Sequence, residues 1–509
     1  MRIKKKTNEF WYGGLVSHGI HMPFRNHKVQ VSKNMTENQA VPLFISTQGR
    51  YLYSEKGFDL QLTDSEIIVS NYSKEIILNE DGTSLKEAFL NAKSRYFPQN
   101  GKIPAEEMFS APQYNTWIEL IYNQKQEAII DYANEIKKNG FPAGVLMIDD
   151  MWQEDYGNWE FHPKRFPDPK AMIETLHSMG FVVMLWICPF VSPDSLIFRD
   201  LEQRGLLVRD KNGNTAIRKW WNGYSGVFDF TNPEAVTYFH EKCDRLIEKY
   251  GVDGFKFDAG DPVYYEYDDI CYAPVDPNGQ CELWGKIGMK YRLNEYRSCF
   301  KCAQQALVQR LCDKRHSWVE NGLDTLIPNG IAQGLLGYPF ICPDMIGGGS
   351  YEDFVPEKLK LDEELIIRYA QCSALFPMMQ FSLGVWRVLN DYGADCCRQA
   401  AELHRKFSSY ILEEAKKSSF SGEPILRHME YEFPHQGFAG VRDQYMLGSK
   451  FLVAPVVKKG ERERTVLLPK GRWIDEKGKI YKGGEEILIQ VPLSRIPYFE
   501  YLGAYDHIL

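Results

Sequence analysis

Several things are missing from this sequence, and each absence narrows what it can do. No run approaches the ~18 uninterrupted apolar residues of a membrane-spanning helix, and the N-terminus lacks the apolar core of a secretory signal. There is no long block of like charge. The basic "RIKKK" at 2–6 reads as a solvated terminus, and with a formal net charge of −8 and a pI of about 5.9 nucleic acid is not an expected partner, nor is a membrane. No HxH or HExxH motif ends a strand-like run. A transition metal would lack its usual ligands there, while an all-oxygen Mg²⁺ site stays open. The expectation is that neither metal nor cofactor is used. The eleven cysteines are odd in number and scattered, unlike a disulfide framework. "CFKC" at 299–302 has no second pair, lies in a run that reads as helix, and is taken as two structural thiols. A reducing, cytoplasmic compartment is the expected setting. Neither an internal repeat nor a low-complexity segment is evident.

Aromatic residues, by contrast, are abundant: 14% of the chain, with 11 Trp and 29 Tyr. Most of them must fill cores, but an excess suits a site that stacks the apolar faces of sugars. A chain of 509 residues holds a barrel of about 250 plus smaller domains.

The pattern changes twice along the chain. Residues 1–105 carry short alternating runs such as "VPLFISTQGRYLYSE", a β-rich N-terminal segment. From 106 to 440 apolar strand-like runs alternate with amphipathic helical stretches, the pattern of βα units around a parallel sheet. Eight strands are expected, at 114–120, 144–150, 182–190, 252–258, 306–313, 338–344, 377–382 and 423–429. Several intervening helices end in Gly just before the next strand. Together these predict an α/β chain built on a (β/α)8 TIM barrel. Residues 441–509 return to short strands and Gly-rich turns and predict a C-terminal β-sandwich domain.

Barrel enzymes work at the C-terminal ends of their strands. Acids stand there in this chain: Asp149 and Asp150 after the second expected strand, Asp258 after the fourth in "GFKFDAGD", Asp313 after the fifth and Asp344 after the sixth, with Trp186 near the end of the third. Any one of them taken alone reads more readily as a turn residue or helix cap. As a set they point to chemistry at one mouth. Paired carboxylates beside tryptophans suit glycoside hydrolysis, in which one acid protonates the leaving oxygen and a second attacks or activates water. A Mg²⁺-dependent enzyme and a silent sugar-binding protein are the alternatives. Lys256, two residues before Asp258 on the same strand face, either keeps Asp258 ionised or pairs with another acid. Asp261 orients the following loop or caps it. Of Trp220 and Trp221 in "KWWNGYSG", one is either a sugar platform or core. His18 and His21 read as loop or packing residues, and "GGGS" at 347–350 as a flexible turn.

"GFKFDAGD", "RLCDKRHSW" and "GYPFICPDMIGGG" resemble glycoside hydrolase family 31, retaining enzymes that cleave terminal α-linked sugars, and the likeness runs from about 105 to the C-terminus. The resemblance implies Asp258 as nucleophile and Asp313 as acid/base, with Glu320 as a fallback because the family's "WxGD" loop is shorter here. It also implies that Asp149, Asp150, Trp186, Lys256, Arg310, Trp318 and Asp344 line the pocket for the reacting sugar. Where the family's α-glucosidases carry an Arg and a His, this chain has Gln380 and Ser382. "WYGG", "IDDMW", "KFDAG", "PMMQFS" and "PDMIGGG" look closer to the branch of myogenesis-regulating glycosidases, which implies α-galactosidase activity on an oligosaccharide or glycoside. The family's N-terminal sandwich is longer, and "WYGGLVSHGIHM" is expected to be what remains of its pocket-covering part.

Overall fold

A computed structural model describes residues 1–355 and 361–504. The last five residues of the expected C-terminal β domain therefore lie outside the described residues. Eight parallel strands form the barrel: β1 (Gln113–Asn115), β2 (Val145–Ile148), β3 (Val182–Ile187), β4 (Gly254–Phe257), β5 (Asn294–Tyr296), β6 (Gln309–Arg310), β7 (Ile341–Cys342) and β8 (Gln380–Phe381). They pair in the order β7-β6-β5-β4-β3-β2-β1-β8, a nearly closed TIM barrel.

The helices between them form for legible reasons. Gln126–Lys138, before β2, buries Ile129, Tyr132, Ala133 and Ile136, the i, i+3, i+4, i+7 stripe of a helix lying on a sheet. Pro233–Tyr250, before β4, starts at an Asn232 cap whose side chain accepts from Glu234 N, with Pro at its first turn. It stops at Gly251, whose φ of +81° is the left-handed conformation a helix end prefers.

One strand differs from expectation and shifts the numbering of the rest. β5 is "NEY", absent from the strands read in the sequence, because its buried side chains are largely polar and resemble a loop. The runs expected as fifth, sixth and seventh supply β6, β7 and β8. Leu426–Arg427, expected as the eighth, instead pairs antiparallel with Tyr445–Leu447 in the C-terminal sheets. Of "YNTWIEL" only Tyr114 and Asn115 are strand, within Gln113–Asn115, and the run turns into the short helix Trp117–Leu120. Cys299 and Cys302 are not helical either. They lie in a bend after β5, and both sulfurs pack against Gly285, where an added Cβ would come within 2.8 and 3.0 Å of them.

The N-terminal residues form two four-stranded antiparallel sheets. "WYGGLVSHGIHM" does not cover the mouth: Trp11–Leu15 is a buried strand, and Val16–His21 packs on the barrel helix Leu326–Leu335. The segment that reaches the mouth is 33–40. Gln39 Nε2 donates to the main-chain oxygens of Arg297 (2.7 Å) and Arg310 (3.0 Å), and Lys33 Nζ donates to Tyr265 O.

Candidate active site

Alternation along β4 sends Phe255 and Phe257 outward against Tyr291 and Lys256 and Asp258 inward. The turn after β4 is tight. Ala259 and Gly260 both have positive φ, and a Cβ at Gly260 would lie 2.2 Å from the Trp284 ring, so only glycine fits. Asp258 is thereby fixed at the mouth. Its Oδ2 accepts from Trp186 Nε1 at 2.9 Å, and its Oδ1 accepts from Arg297 Nε at 2.8 Å and from Ala259 N at 2.8 Å. Burial works to raise its pKa, but Arg297, Lys256, Arg310 and the Trp186 hydrogen bond outweigh it and hold the carboxyl well below the usual range. Asp258 is therefore held as a carboxylate at neutral pH.

Arg297 is itself held. Its Nη1 and Nη2 donate to Asp261 at 2.9 and 2.6 Å, a forked pair. Asp261 thus neither caps the following helical turn nor simply shapes the loop; it positions the arginine. Beneath lies a charged layer where most barrels place aliphatic side chains. Lys256 Nζ donates to Asp149 at 2.6 Å, Gln380 Nε2 donates to Glu295 at 2.8 Å, and Arg310 Nε stands 3.3 Å from Glu295. Burial disfavours the charge on Lys256, but Asp149, Asp258 and Glu295 together outweigh it and hold the ammonium above its ordinary pKa. Each buried charge has a counter-ion, which is the condition for tolerating it.

Above this layer is a cavity of about 310 Å³, near the lower end of the ~300–1,000 Å³ typical of small-ligand sites. Six acids line it (Glu37, Asp149, Asp150, Asp258, Asp313, Glu352) against three bases (Lys256, Arg297, Arg315), with Trp117, Trp186, Trp221 and Tyr351 among the other residues. Asp150 accepts from Met151 N, Gln153, Tyr156 and Asn222. Burial, with the neighbouring Asp149 charge, still pushes it up to about 6. Asp313 is half-buried, and its Oδ1 lies 2.9 Å from Arg310 Nη1. The same nitrogen donates to Asp344 at 2.7 Å, and the other Asp344 oxygen accepts from Lys314 N and Gly349 N. Burial raises Asp344 to about 7, and the Asp313 charge adds to the rise.

Comparison with known proteins bears directly on this arrangement. The family model "Glycosyl hydrolases family 31 TIM-barrel domain" matches residues 107–387, and that family's C-terminal domain matches 422–504. The chain belongs to glycoside hydrolase family 31. Among its curated relatives, the myogenesis-regulating glycosidase of Mus musculus is 33% identical over 84% of this chain and 61% of its own length. A sulfoquinovosidase of Escherichia coli K12 is 24% identical over 70% of this chain and 57% of its own. This family 31 chain thus spans about three fifths of the length of the curated relatives it matches. Among solved structures, the family 31 dextranase of Flavobacterium johnsoniae, complexed with glucose, superposes with a TM-score of 0.86 at 20% identity, covering 98% of this chain and 66% of its own.

Within the family 31 framework, Asp149, Asp150, Trp186, Lys256, Asp258 and Asp313 converge on the one cavity, while Arg310 and Asp344 brace Asp313 from beneath. Trp318 stands outside the cavity. Its Nε1 donates to Asp362, which caps the helix Glu363–Ser373, so its placement serves that helix. Glu320 does not line the cavity; Asn321 beside it does. Gln380 and Ser382 are buried below the mouth, Gln380 on Gln113 and Glu295 and Ser382 accepting from Ile118 N. Sequence reasoning misses Arg297, Glu37, Trp117, Tyr156 and Asn222. Only Arg297 carries a signal: placing "NEY" as a strand sets Glu295 and Arg297 on the inward face. The acids meet cationic side chains, and among the described residues no group of three His, Cys, Asp or Glu is arranged to hold a metal ion.

Proposed function

We propose that the chain is a retaining exo-α-glycosidase for neutral terminal sugars, α-galactosides foremost. The observation that carries this reading is the ionised Asp258, oriented by Trp186 and Arg297 at one end of a cavity that also contains Asp313. Asp258 attacks the anomeric carbon as the glycosidic C–O bond breaks, giving a glycosyl ester. Asp313 delivers its proton to the leaving oxygen and then takes one from the water that hydrolyses the ester. The oxocarbenium-like transition state gains from the fixed negative charge below it. Asp150, with Tyr156 and Asn222 around it, offers a directed acceptor for the sugar's hydroxyls.

One feature supports a neutral sugar and another the choice among neutral sugars. The cavity's acids outnumber its bases, an environment hostile to a sulfonated or carboxylated ring. The likeness to the myogenesis-regulating glycosidase, together with Gln380 and Ser382 in place of a substrate-contacting Arg and His, favours galactose over glucose or xylose. The test is release of p-nitrophenol from α-galactoside, α-glucoside, α-xyloside and α-N-acetylgalactosaminide, with Asp258→Asn alongside. Cleavage of the α-galactoside that the variant abolishes supports the reading. Cleavage that survives the substitution removes Asp258 as nucleophile, and silence on the whole panel favours a sugar-binding protein.

A further inference from the structure

His18 and His21 pack, but they pack on a third histidine. The ring centroids of His18, His21 and His27 lie 4.6 to 5.8 Å apart, and His27 Nε2 faces His18 Nδ1 at 3.2 Å. Burial and the neighbouring imidazoles lower the pKa of His27 and bring that of His18 down to about 4. Among the described residues no carboxylate opposes this at either ring. The cluster borders a cavity of about 420 Å³ where the N-terminal residues meet the C-terminal domain. The ionisable side chains lining it are His21, Arg25, His27 and Arg442: four bases and no acid, on a chain whose formal net charge is −8. It shares no lining residue with the catalytic cavity.

The donors are held in place. Phe24 is buried, stacks on His27 with centroids 5.3 Å apart, and donates from its main-chain N to Trp11 O at 2.9 Å. Arg442 Nη1 donates to Ile20 O, which fastens the two parts of the wall together and leaves the rest of the guanidinium to the cavity. Arg25 forms no hydrogen bond and no ion pair among the described residues. Guanidinium groups are always charged and carry five N–H donors each, so two of them beside imidazoles repel one another until an anion joins them. A cleft lined by one sign of charge concentrates ions of the other. Its donors come from two separate stretches of chain, His21, Arg25 and His27 from one and Arg442 from the other. A tetrahedral oxyanion presents more oxygens to such an arrangement than a carboxylate does, and arginine matches it with paired hydrogen bonds. The volume is that of a small-ligand site, so there is room beside the anion for the molecule that carries it. At Gly440 open space stands where a side chain would project, so nothing fills the cavity from that side.

We propose that this cavity is a second ligand site, separate from the catalytic one, that binds a phosphoryl dianion, either free phosphate or a phosphate monoester. The site stands apart from the glycosidase reading, and its test needs no turnover. Isothermal calorimetry on the full chain at neutral pH and fixed ionic strength compares inorganic phosphate, glucose 6-phosphate and glucose. Both phosphates should bind and glucose should not. Binding of glucose 6-phosphate about tenfold or more tighter than inorganic phosphate supports the monoester, and equal affinities support the free ion. Arg25→Gln and Arg442→Gln should each weaken phosphate binding by about tenfold, and the double variant by about 10²-fold. Saturating phosphate should raise the Tm of the wild type and leave that of the double variant unmoved. Arg25 has no protein partner to lose, so Arg25→Gln without phosphate should unfold no earlier than the wild type, which separates lost binding from lost folding. Absence of heat with either phosphate at millimolar concentration would overturn the proposal, as would affinities that the two arginine substitutions leave unchanged.

Discussion

Arg297 Nε lies 2.8 Å from Oδ1 of Asp258, and the rest of its guanidinium is locked on Asp261. The carboxylate is thereby both aimed and kept ionised. Arg297→Met should raise the acidic limb of the kcat/KM profile by ~1–3 pH units, because the removed cation is what favours the charged carboxylate. Arg297→Lys keeps the charge but loses the fork, so it should retain the limb's position while lowering kcat by about 10²-fold. A pH–rate profile of both variants checks this. An unmoved limb in Arg297→Met would mean that Asp258 is held by other charges.

The two tryptophans assigned to the pocket from the sequence should behave differently. Trp186→Phe removes a hydrogen bond to Asp258 and should cost about tenfold in kcat/KM. Trp318→Phe removes a hydrogen bond to the helix cap Asp362 and should cost ~1.5–3 kcal/mol of stability while leaving kcat unchanged. Steady-state kinetics and denaturant unfolding on the pair separate the roles.

Asp150 gives a stability prediction with a definite sign. Its folded pKa is about 6, above the unfolded value of ~3.9, so the native state binds the extra proton and loses stability as pH rises between those values. Asp150→Asn removes that penalty. The Tm of the variant minus that of the wild type should increase from pH 4 to pH 6 and level off above, as measured by thermal unfolding across the range.

The acid excess of the cavity predicts charge discrimination. A sulfonated or carboxylated glycoside should have kcat/KM at least about 10²-fold below its neutral counterpart, since like charges juxtaposed in a partly desolvated site cost several kcal/mol. Comparable rates would mean that the bases, not the acids, face the ring. EDTA should leave the activity on neutral substrates unchanged, because the carboxylates are neutralised by Lys256, Arg297 and Arg310.

The strand ends carrying Asp149, Asp150, Asp258, Asp313 and Asp344 are legible in the sequence, because apolar runs that terminate in acids are a pattern set by local chemistry. β5 is not legible, because Asn294 and Glu295 are buried through partners distant in sequence, among them Gln380 on β8 and Arg310 on β6. Missing that strand displaces the numbering and hides Arg297. Glu37 and Asn222 are illegible for a related reason: each reaches the mouth from a separate excursion of the chain, and nothing local marks it. Trp318 misleads because a tryptophan close to an expected acid looks the same whether it faces a sugar or a helix cap.

The most direct test is to trap the glycosyl-enzyme. The protein is incubated with a fluorinated galactosyl fluoride that forms the ester quickly and releases it slowly, digested, and its peptides are sequenced by mass spectrometry. One added sugar on Asp258, absent from Asp258→Asn, is the predicted result. A sugar on Asp313 or another residue, or turnover with inversion and no covalent adduct, would contradict the assignment of Asp258 as nucleophile.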